Sequence, residues 1–207
     1  MRRNMKRICL AAAFGLALLP TAVRAETAVF HQQGETAYAY FANMDAAGCV
    51  YTEIDIQAFE DRMQAPPGPP ERGSWVTLYV NQYDYCQERT LLSGGGETLL
   101  SPDAFRVLGG LQSARVDAVI TLDDLISGGL LQASLSFTWT GTSELFQGGS
   151  TNHVRNAQYS ISSRFTGSQR QADATGTILV GSTSIEAGDS NFAVIQSSET
   201  GRIEHTR

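Results

Sequence analysis

The chain has 207 residues, 15 Lys and Arg against 21 Asp and Glu, and three cysteines. That length supports one sizeable core or at most two small domains. A net charge of −6 without a basic patch argues against nucleic acid or anionic lipid as a partner.

Residues 1–25 read as a secretory signal segment. Arg2, Arg3, Lys6 and Arg7 form a basic start, ICLAAAFGLALL an apolar run, and Val23 and Ala25 a small-residue cleavage site. Residues 26–207 are then the mature chain, expected as a single domain exported to the periplasm or the extracellular space. Its basic residues are ten arginines against 21 acidic residues, a net charge of −11 with no lysine. Lysine nucleophiles and Schiff-base chemistry are thereby excluded. No second apolar run is long enough for a transmembrane helix.

From residue 36 onward the apolar residues recur with a period of two. Strands are expected near 36–43, 49–59, 75–83, 86–92, 104–108, 112–122, 131–140, 157–166, 170–180 and 192–197, with a short one near 201–205. In LLQASLSFTWTG, Leu131, Ala133, Leu135, Phe137 and Trp139 share one face, and Gln132, Ser134, Ser136, Thr138 and Thr140 the other. Such alternation marks half-buried antiparallel strands. Gly-rich segments at 93–96, 127–129, 147–150, 167–168 and 186–191 read as turns. QAPPGPPERG at 64–73 reads as a stiff loop. SPDAF at 101–105 is expected to open one helical turn. The fold class that follows is all-β: an antiparallel sandwich, jelly-roll-like, of about ten strands. Ten-residue alternating strands also suit a small outer-membrane barrel, with Leu131, Leu135, Phe137 and Trp139 turned to lipid.

Cys49 and Cys86 are the cysteines left after cleavage, and an even count in an oxidising compartment predicts a disulfide between them. Each follows an alternating run and an aspartate, Asp45 or Asp84. A duplicated hairpin with its two turns pinned together is one reading, chance the other. The spacing is not C-x-x-C, and His31, His153 and His205 are too scattered to complete a zinc site.

Candidate chemistry is sparse. Glu53 and Asp55 share a strand face about 7 Å apart, a spacing open to carboxylate-pair glycoside chemistry, though a solvated strand face explains them as well. Tyr79, Asn81 and Tyr83 share a face that suits sugar stacking or a protein contact, or plain cross-strand packing. His153 and Arg155 lie in what reads as a polar loop, a candidate functional segment. Asp123, Asp124 and the GDSN run at 188–191 leave structural calcium as the one cofactor to consider. No G-x-S-x-G or H-E-x-x-H occurs.

AYAYF, the two cysteines with PPGPP between them, and the tail SRFTGSQRQADATGTILVG resemble exported bacterial all-β proteins that have no characterised activity. The resemblance implies export and an all-β fold and supplies no site. The expected function is a secreted, non-enzymatic binding protein or envelope component, with a glycan or a protein as partner. The alternatives are a glycan-active enzyme or carbohydrate-binding module on the Glu53/Asp55 face, and the outer-membrane barrel.

Overall fold

A computed structural model describes residues 26–206, apart from 66 and 67. The expected signal segment and part of the proline-rich loop lie outside the described residues. Among the described residues the protein is all-β and antiparallel, with eleven strands. They are β1 (Glu26–Met44), β2 (Val50–Gln64), β3 (Glu71–Asp84), β4 (Arg89–Leu99), β5 (Phe105–Leu108) and β6 (Ser113–Asp124). Then come β7 (Leu130–Gly141), β8 (Phe146–Arg155), β9 (Tyr159–Val180), β10 (Thr183–Glu186) and β11 (Phe192–Thr206). Among the described residues no helix is long and apolar enough to cross a membrane.

Facing walls of sheet enclose one apolar core, as a sandwich requires, and the hydrogen-bonded ladder continues from wall to wall. β9 pairs β11, followed by β1, β2, β3, β4, β6 and β7, and β7 pairs β9 again. Neighbours round this ring follow chain order, so the connectivity is a meander and not the crossed connectivity of a jelly roll. A ring of eight strands has an interior that side chains just fill. Here the filling comes from inward residues such as Phe41, Ile54, Ile56, Val80, Val116, Ile120, Phe137 and Ile195, each no more than 1 % exposed. Phe41 and Phe137 meet across it with ring centroids 5.7 Å apart. Leu135, Phe137 and Trp139 therefore point into the core, with Leu131 packed partly buried against it, and not to lipid. The Trp139 Nε1–H donates to the Tyr38 carbonyl at 3.0 Å, which satisfies its buried polar atom.

The Cys49–Cys86 disulfide is formed, with Cα atoms 5.2 Å apart. It ties the β1–β2 turn to the β3–β4 turn. Both turns are built by an aspartate accepting backbone N–H groups: Asp45 from Cys49 (2.7 Å) and Val50 (2.9 Å), and Asp84 from Gln87 (2.9 Å). The Tyr85 N–H also donates to the Cys49 carbonyl at 2.8 Å. The two cysteines thus sit at matching points because adjacent hairpin ends meet there.

Several glycine segments expected to be turns are strand. Gly94 and Gly96 lie within β4 at its short pairing with β6, where a Cβ on Gly96 would come 2.2 Å from the Thr121 carbonyl oxygen. Glycine serves close backbone approach there, not reversal. Residues 147–150 belong to β8, and 167–168 lie inside β9, which joins two expected strands into one of 22 residues. SPDAF forms a β-turn and no helical turn: the Ala104 N–H donates to the Ser101 carbonyl at 3.1 Å, and Asp103 has φ 71°. Proline followed by a residue of positive φ is the type II pattern.

Candidate binding trough and charged rim

β9 is too long for the ring. Its second half pairs β7, while residues 160–169 pair β8 on the same edge and β11 on the other. With the start of β1 and the end of β2 they form an open sheet beyond the ring, wet on both faces. Its two faces continue the two faces of the ring wall.

One face continues the outside. Register places Gly148, Gly167, Ser198, Gly34, Asp61 and Gly73 side by side on successive strands. The Gly148, Gly167, Ser198 and Gly34 part of this row floors an open cavity of about 500 Å³, and Asp61 and Gly73 lie beyond its lining. Phe146 on β8 and Phe165 on β9, 66 % and 44 % exposed, stand on opposite sides of the row. Gln169, Gln196, Thr36 and Ser198 add amides and hydroxyls, and no lining side chain is ionised. Two exposed aromatic rings beside uncharged hydrogen-bonding groups can stack against and hydrogen-bond a neutral, hydroxyl-rich ligand.

The other face continues the core and changes from apolar to charged in one residue step. Beyond Ala37, Ala58 and Val76 come Glu35, Glu60 and Ser74, paired across β1, β2 and β3. Glu60 is 4 % exposed. Its carboxylate accepts from Arg62 Nε and Arg72 Nη2, each at 2.6 Å, and from the Ser74 hydroxyl at 3.1 Å. Burial alone would raise its pKa, but these donors outweigh burial and hold it below the usual range. Opposite it, Glu35 is pushed up, by burial first and by the Glu60 charge next, against the pull of Arg62 and Arg72. A cavity of about 270 Å³ opens here. Since both Glu60 oxygens are engaged by arginine, it is a fixed charge that seals the core and not a free base.

The residues singled out in the sequence lie elsewhere. Glu53, Asp55, Tyr79, Asn81 and Tyr83 do share one surface, the outside of the ring on β2 and β3, with Asp55 opposite Tyr79 and Glu53 opposite Asn81. Each carboxylate is bonded to a different tyrosine of β1: Asp55 accepts from the Tyr38 hydroxyl at 2.8 Å and Glu53 from the Tyr40 hydroxyl at 2.9 Å. His153 and Arg155 sit on strand β8, not in a loop, and both are exposed. Asp124 caps its own hairpin by accepting from the Ile126 N–H (2.9 Å) and the Ser127 hydroxyl (2.5 Å). In the 188–191 run, Ser190 Oγ accepts the Ala174 N–H at 2.9 Å. Among the described residues no three His, Cys, Asp or Glu side chains gather in a metal-binding group.

Sequence reading missed the trough because its floor is a row across strands, whose members come from distant parts of the chain. It missed Glu35 and Glu60 because neither stands out locally. The one signal present was a carboxylate at a core-parity position of a strand, directly after Ile54, Ile56 and Ala58.

No protein-family model and no curated protein matches this chain.

Proposed function

We propose that this is an exported, non-enzymatic binding protein whose ligand is a neutral glycan chain seated across the strands in the trough between Phe146 and Phe165. The observation that carries this reading is the composition of that cavity. In a chain with a net charge of −6, its lining is aromatic, amide, hydroxyl and glycine, with no ionised group. Sugars bind through such sets, with ring faces on aromatic carbon and hydroxyls on amides and side-chain oxygens. The disulfide and the basic-apolar start of the chain support export. The bonding of Glu53 and Asp55 to separate tyrosines favours binding over hydrolysis at that face.

The test is a glycan array followed by calorimetry on the best ligand, with wild type and Gly148→Leu. A Cβ on Gly148 meets nothing closer than Phe146 at 3.8 Å, so a leucine there fills the trough and spares the backbone. Loss of binding in that variant is the expected result. An array with no hits, or equal binding by Gly148→Leu, overturns the proposal.

A further inference from the structure

Strand β8 presents a free edge. It pairs β9 on one side, and among the described residues no strand pairs its other side. All ten of its residues are exposed. Proteins protect such edges with lysine, proline, bulges or charge. Phe146–Val154 contains no Lys, Arg, Asp, Glu or Pro. An uncharged edge of nine residues is a template for another strand.

We propose that the occupant is the same strand of a second copy, paired antiparallel about a twofold axis through Ser150. A twofold axis normal to a sheet keeps each strand's two faces, so residues opposite one another must share parity. Three registers keep most of the strand paired, centred on Gly149, Ser150 or Thr151. Only the Ser150 centre sets Phe146 against the partner's Val154, and symmetry makes that contact twice. These are two of the exposed apolar side chains of the extension, at 66 % and 43 %. Aromatic and β-branched residues directly opposite are a favourable cross-strand pair. The shifted registers put Phe146 against asparagine, Asn152 or Asn156. The Ser150 register sets Arg155 opposite the second copy's Leu145 and Glu144 opposite its Asn156, so no like charges meet. No acidic side chain meets another along β8, although the protein as a whole is acidic. The resulting sheet continues from one open extension into the next. This inference is independent of what fills the trough.

The experiment uses the full chain with Cys9→Ala, so that Cys49 and Cys86 remain paired. Ser150→Cys places two thiols opposite one another at the twofold axis, about 5 Å apart between Cα atoms, within disulfide reach. Asn152→Cys puts them about 14 Å apart along the ladder, out of reach. Under mild oxidation, Ser150→Cys is expected to yield at least about fivefold more covalent dimer than Asn152→Cys. Sedimentation of the protein without either new cysteine is expected to show a monomer–dimer equilibrium over about 1–100 µM. Equal crosslinking of the two variants, or a monomer throughout that range, overturns the proposal.

Discussion

Glu35 and Glu60 stand directly opposite one another on β1 and β2, and their surroundings drive their acidities apart. Burial dominates at Glu35 and raises it; at Glu60, Arg72, Arg62 and Ser74 overcome burial and lower it. The pair marks the level at which the core ends and the open sheet begins.

Glu60→Gln should destabilise the protein by about 2 kcal/mol, because it leaves two arginines facing a neutral amide at a buried position; their exposure keeps the loss below that of a fully buried pair. The sign with pH follows from the lowered acidity constant. The stabilisation by Glu60 is complete above the ordinary carboxylate range and is lost as pH falls through its lower folded value. Urea midpoints of wild type should therefore drop on acidification more than those of Glu60→Gln. Parallel acid limbs for the two proteins would contradict this.

Glu35→Gln should act in the opposite direction. A raised folded acidity constant means the ionised form is disfavoured in the native state, so the cost is present at neutral pH and relieved as pH falls. The variant should be slightly more stable than wild type at pH 7 and lose that advantage in acid. Thermal unfolding at the two pH values measures it.

The Tyr38 pKa is raised to about 12, by burial first and then by its hydrogen bond to Asp55. Tyr40 is raised as well, mainly by its bond to Glu53. Ultraviolet titration should show at least two late-ionising tyrosines. Stability should fall as pH climbs from about 10, the ordinary tyrosine value, to about 12, since the folded state holds the Tyr38 proton more tightly. Tyr38→Phe should flatten that decline.

Removing the disulfide by Cys49→Ala with Cys86→Ala should cost about 4 kcal/mol on the chain-entropy account. Denaturant midpoints measure the loss, and peptide mapping without reduction should recover the Cys49–Cys86 pair from the wild type.

Gly96→Ala should cost about 1–3 kcal/mol, because its methyl would meet the Thr121 carbonyl where β4 and β6 approach. Gly148→Ala, whose methyl would make only an ordinary contact with Phe146 at 3.8 Å, should be near neutral. Equal urea midpoints for the two would show that the β4–β6 seam gives way freely.

The sequence by itself determined the all-β class, the apolar face of strands such as β2, β3, β6 and β7, and the disulfide. These rest on local physics: a side-chain period of two, and two cysteines after turn-forming aspartates. Phe41, Ile54, Val80, Phe137 and Trp139 all lie on the buried face that alternation gives them. Glycine was misread where its role depends on a neighbour. Gly96 and Gly167 look like turn residues in isolation, yet one lies against the backbone of β6 and the other under Phe165. The tertiary structure alone decided the closure of the ladder by β7 on β9, the open sheet, the trough between Phe146 and Phe165, and the Glu35–Glu60 rim. Each of these is a relation between strands, fixed by register, and register is set when distant segments choose partners that bury the most apolar surface together.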